Sequence, residues 1–169
     1  PSSRSVGFRK SLFRKVEYPE WLDTCEDLYF ARELKLKGFK FAFAKNAIVS
    51  WVQRKNLSEA FIQFFNYAIG DGTARYFRKT TPFLFGRYAA GLTLLVIYFQ
   101  TKSLFILLLI WILLINYIVW SIFKNYYYVK NLKALFWLPL LQFSADFAVI
   151  LGTSLGFVRS FGIKKLNSL

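Results

Sequence analysis

The sequence predicts an α/β segment followed by an α-helical transmembrane region, and three observations lead there. Charge is unevenly divided: residues 1–80 carry 15 Lys or Arg and 8 Asp or Glu, whereas residues 81–169 carry 8 and 1. In the first stretch a helical pattern gives way to alternation, with Phe39, Phe41 and Phe43 on one side and Lys40, Ala42 and Ala44 on the other, the period of a strand. In the second, residues 103–123 contain no charge, and at about 1.5 Å per residue they span a hydrocarbon core of roughly 30 Å.

Taken in order, residues 8–16 suit a short amphipathic helix, and Tyr18-Pro19-Glu20-Trp21 is a turn that delivers the chain to Thr24. Thr24 is placed to cap a helix over residues 25–37, with Glu26 and Asp27 in its first turn, where the backbone dipole favours negative charge, and Gly38 just past its end. The same carboxylates, held rigidly at a helix start, are also candidates for catalysis. Two extended runs follow, the Phe39–Phe43 stripe and residues 47–51, joined by a turn at Lys45-Asn46. The stripe and Trp51 read as core rather than as a ligand platform. Asn56 with Glu59 three residues on repeats the capping pattern and opens a second helix, which Gly70-Asp71-Gly72 interrupts or ends.

Three apolar segments complete the chain, over residues 82–99, 103–123 and 134–158, giving a boundary near residue 80. Arg87 interrupts the first and is read as snorkelling to the headgroups. The third holds Pro139, Asp146, Gly152 and Gly156, which suggests a broken or re-entrant helix, with Asp146 turned toward protein or water and the two glycines allowing close helix contact. Lys124, Lys130 and Lys133 lie between the second and third segments, and only Lys102 separates the first two, so positive-inside counting makes the first pair a hairpin with both ends cytoplasmic.

Composition excludes several chemistries. The single cysteine, Cys25, cannot form an internal disulfide and reads as a small buried filler, and without histidine neither common zinc sites nor Ser-His-Asp systems can be assembled. The net charge of +14 gathers into no basic run and accompanies no nucleic-acid motif, so an anionic bilayer surface is expected as partner and nucleic acid is not.

The run from Ser2-Ser3-Arg4-Ser5-Val6-Gly7-Phe8-Arg9-Lys10, through Tyr18-Pro19-Glu20-Trp21-Leu22 and Glu26-Asp27, to Gly38-Phe39-Lys40-Phe41 resembles the C-terminal half of the catalytic domain of membrane-bound family 2 glycosyltransferases of bacterial type. Gly38 follows Glu26 at the family's spacing of twelve residues. Gln63-Phe64-Phe65-Asn66-Tyr67 is similar to the family's Gln-x-x-Arg-Trp element, with Asn66 and Tyr67 at its last two positions.

The resemblance implies part of a GT-A-like catalytic domain over residues 1–80 and membrane helices over 81–169, in a chain truncated at its N-terminus. It implies Asp27 as the base of an inverting transfer, Glu26 as a supporting carboxylate, and Gln63, Asn66 and Tyr67 as substrate-binding residues. The donor would be a nucleotide sugar and the acceptor a cell-envelope glycan or a lipid-linked molecule. A divalent metal, Mg or Mn, is implied for the full enzyme through an Asp-x-Asp pair that this chain does not contain, so the residues given are expected to be inactive alone. The expected location is the inner or plasma membrane, multi-pass, with the catalytic part in the cytoplasm. The departure at Asn66-Tyr67 favours transfer of single sugars over the alternative of a processive polysaccharide synthase. A non-catalytic basic membrane anchor or assembly protein is the alternative outside enzymology.

Overall fold

The computed structural model describes residues 6–50, 52 and 54–163. Trp51, Ser2 to Ser5, Lys164 and Lys165 therefore lie outside the described residues. The chain divides into two units, Pro1–Tyr76 with Leu151–Leu169, and Phe77–Ile150. The last part of the third apolar segment thus groups with the N-terminal residues rather than with the rest of the membrane region.

In the first unit a 3₁₀ turn at Lys10–Arg14 precedes helix α1, Glu26–Leu36. Val16, Phe30 and Leu34 form its small core, with Leu12, Tyr18 and Phe39 packed around them. Phe30 is the centre: the rings of Phe8, Phe13 and Tyr18 lie 5.6, 5.9 and 5.3 Å from it. α1 ends where its sequence says it should. Gly38 adopts φ +79°, its N–H bonds the Lys35 carbonyl at 3.0 Å, and the Phe39 N–H reaches the Leu34 carbonyl at 3.0 Å. Those two bonds make a Schellman cap, and the Phe39–Leu34 packing is its usual apolar contact.

The α/β expectation is corrected, because the described residues form helices and no strand. The predicted turn is present, with the Ala47 N–H on the Ala44 carbonyl at 3.1 Å, but the runs on either side of it do not pair. Alternation specifies which face of a strand is buried, not what it pairs with, and two short runs without a third strand or a covering helix are marginal in water. The stripe accordingly splits: Phe39 joins the core, while Phe41 and Phe43 are exposed, the latter at 91%.

Helix α2, Leu57–Thr73, starts at the predicted cap. Asn56 Oδ1 accepts the Glu59 N–H at 2.8 Å and Asn56 Nδ2 donates to Glu59 Oε1 at 2.8 Å. Gly70-Asp71-Gly72 do not interrupt it; they are buried within its last turns. A Cβ at Gly70 would collide with the Thr24 hydroxyl and carbonyl, and one at Gly72 would meet Thr153 and Phe157. From the other side, a Cβ at Gly152 would strike Phe65 and Ala68, and one at Gly156 would strike Ile69 and Thr73. The glycines of α2 and of the chain's last helix therefore bring two backbones into direct contact, the geometry that small-xxx-small spacing permits.

The second unit contains α3, Thr81–Thr101, α4, Leu104–Val129, and the first part of α5, Ala134–Ser160. All three helices are long and apolar enough to cross a membrane. α3 and α4 pack as a hairpin through Lys102 at φ 50° and Ser103. α5 is one continuous helix, not a broken one. Pro139 falls in its second turn, where the hydrogen-bond ladder has barely begun and the missing N–H removes a single bond.

Candidate functional site

Glu26 and Asp27 open α1 as the sequence requires, but not beneath a threonine cap. The N-cap is the buried Cys25, held at φ 70° with no side-chain cap bond. Asp27 Oδ1 accepts the N–H of Leu28 at 2.8 Å, satisfying one of the helix's unpaired donors. Thr24 turns away and donates its hydroxyl to the Asn66 carbonyl at 2.8 Å. With Gly70 packed on the same threonine, the start of α1 is fastened to the middle of α2. Tyr18 is partly buried beside this start, and its phenol is raised above its ordinary pKa by burial first, then by the negative charges of Glu26 and Asp27.

The other predicted residues lie along α2. Gln63 takes Arg54 Nε on its carbonyl oxygen and donates its amide to the Tyr67 hydroxyl, both at 3.1 Å. Gln63 and Tyr67 thus form one polar pair a helical turn apart, and Asn66 is tied to the α1 start through its backbone. A cleft elsewhere in this unit is lined by Arg14, Lys15, Trp21, Tyr29, Glu33 and Lys37, among others, and Glu26 and Asp27 are not part of its lining.

A second polar cluster is set inside the membrane-length helices. Asp146 on α5 is 5% exposed. Its Oδ2 accepts Arg87 Nη2 at 2.8 Å and the Tyr88 hydroxyl at 2.9 Å, both from α3, and also the Tyr117 hydroxyl from α4. Its Oδ1 accepts Gln142 Nε2 at 2.9 Å. Four donors reach the carboxylate, three on Oδ2 and one on Oδ1, and one of them is a cation, so its charge is paired and both oxygens are hydrogen-bonded. The Arg87 guanidinium lies 4.2 Å from the centre of the Tyr117 ring, a close cation–π contact. This cluster joins three helices. Its signal in the sequence was the presence of one interrupting cation in the first apolar segment and one anion in the third; the two tyrosines carry no comparable signal.

Comparison with known proteins finds no matching family, no matching curated protein and no matching solved structure. Among the described residues no three of His, Cys, Asp or Glu come together in a way that could hold a metal ion.

Proposed function

We propose that this chain is the membrane-bound C-terminal part of a glycosyltransferase that moves a sugar from a nucleotide donor to an envelope glycan or lipid-linked acceptor in an inverting reaction. The observation that carries this reading is the fastening of Thr24 to Asn66, which sets the acidic pair and the Gln63–Tyr67 stretch on one support although 42 positions separate the two bonded residues. Two segments that the resemblance assigns to one site are thereby held against each other. In the reaction, Asp27 takes the proton of the acceptor hydroxyl as that oxygen attacks the anomeric carbon and the nucleoside diphosphate leaves. Glu26 supports it from the adjacent position, and Gln63 and Tyr67 contact substrate from α2. The nucleotide and its metal are held by residues other than these.

The test is Asp27→Asn in the complete enzyme, assayed for sugar transfer. Loss of a positioned base costs about 100- to 10,000-fold in rate, with the unfolding midpoint little changed because Asn retains an oxygen for the Leu28 N–H. Turnover within a few-fold of the parent would remove Asp27 from this role.

A further inference from the structure

We propose that Arg87 holds the phosphate group of a membrane lipid. The inference does not depend on glycosyl transfer; it follows from how Arg87 is placed in the second unit. Asp146 accepts four donors, yet of Arg87 it engages only Nη2. A guanidinium has five N–H groups in a rigid fork. The side chain is 40% exposed, and its Asp146 bond and its contact with the Tyr117 ring hold the guanidinium in place, so its remaining donors are kept at one position rather than swept through solvent.

Depth selects the ligand. Arg87 lies six residues into α3, about 9 Å from Thr81, and Tyr117 lies seven residues before Lys124, about 10 Å along α4. Both helices of the hairpin therefore set the cluster the same short distance below a charged end. At that depth N–H groups left to hydrocarbon are costly, and the long arginine side chain reaches toward the headgroup layer. A phosphate supplies acceptors matched to the fork and is the anion a lipid carries to this level. The surrounding charge favours it. From Phe77 to Ile150 the sequence holds seven cations and a single anion, Asp146, and Lys79 and Lys124 lie toward the same end.

A phospholipid headgroup and the phosphate of an isoprenoid carrier share this chemistry. The experiment is lipid titration of the purified full chain in detergent by native mass spectrometry, with phosphatidylglycerol, a polyprenyl monophosphate and phosphate-free diacylglycerol as probes. Arg87→Gln is expected to weaken binding of the phosphate lipids about tenfold or more, the worth of a charge-assisted hydrogen bond, whereas Lys133→Gln leaves it within about twofold. Tighter binding of phosphatidylglycerol assigns the site to bilayer lipid, and tighter binding of the polyprenyl phosphate assigns it to a carrier. Diacylglycerol binding as well as either, or Arg87→Gln binding like the parent, overturns the proposal. Asp146→Asn provides the check if Arg87→Gln does not fold: it keeps the cation and frees its donor, so phosphate binding is retained or tightened, and loss of binding in a folded Asp146→Asn protein overturns the site.

Discussion

Tyr18 links the small core of the first unit to the acidic pair, and that position makes it sensitive to alkali. Its ring packs 5.3 Å from Phe30, while burial and the charges of Glu26 and Asp27 disfavour the phenolate. A tyrosine that ionises near pH 10 in the unfolded chain and higher in the fold contributes stability that is fully present below pH 10 and is lost as the pH rises above it. The unfolding midpoint is therefore expected to fall as the pH rises above about 10, and Tyr18→Phe should lessen that fall while leaving the midpoint near pH 7 almost unchanged. Equal alkaline losses in parent and variant would show that the phenol carries none of it. At the same scale, the Asn56–Glu59 cap was legible because its reciprocal bonds are local and depend on spacing alone. The role of Thr24 was not, because its partner is an Asn66 carbonyl that only the folded chain brings near.

Among the elements, α2 and the end of α5 depend most on what their side chains lack. Gly156 faces the carbonyl of Ile69 and the N–H of Thr73, so a methyl group there must push two backbones apart. Overpacking of this kind costs about 1–3 kcal/mol. Gly156→Ala is expected to lower the unfolding midpoint, whereas Gly91→Ala, whose Cβ meets nothing within 4 Å on α3, should be neutral or slightly stabilising through helix propensity. Melting curves of the two variants in the same detergent make the comparison, and an unchanged Gly156→Ala curve would mean that the close approach contributes nothing. The Gly152–Gly156 spacing in the sequence announced a helix contact but not its partner. The glycines of α2 marked the helix end, which falls at Thr73, but not the close approach they also make, because a turn and a close approach both call for a missing Cβ. The Phe39–Phe43 alternation misled for a related reason: its period was correct for a strand, and nothing in a local pattern guarantees a neighbour to complete a sheet.

Over the whole chain, the membrane-length helices were the most legible feature, since length and absence of charge are sufficient to mark them. α3 and α5 cover their expected segments and run past them, and α4 starts one residue later than expected and runs six residues further. Pairing between segments was less accessible: Arg87 and Asp146 were visible as costly residues, but their 2.8 Å contact emerges only from the packing of α3 with α5 inside the second unit. Other charges bear on orientation. The α3–α4 hairpin has Arg78 and Lys79 before one end and Lys124, Lys130 and Lys133 at or beyond the other, while its connecting turn carries Lys102 alone. Positive-inside counting then gives the expectation that both ends of the hairpin lie inside and the turn outside. Aromatic contacts reinforce the two levels, with Lys124 over Trp120 and Lys130 over Tyr127 on one side and Lys102 over Phe99 on the other. In a Cys25→Ser background, a cysteine at Gln100 is expected to react with an impermeant maleimide added to intact cells, and a cysteine at Asn131 only after the membrane is opened. Labelling of Asn131→Cys in intact cells, with Gln100→Cys protected, would reverse the orientation and place the basic loop outside.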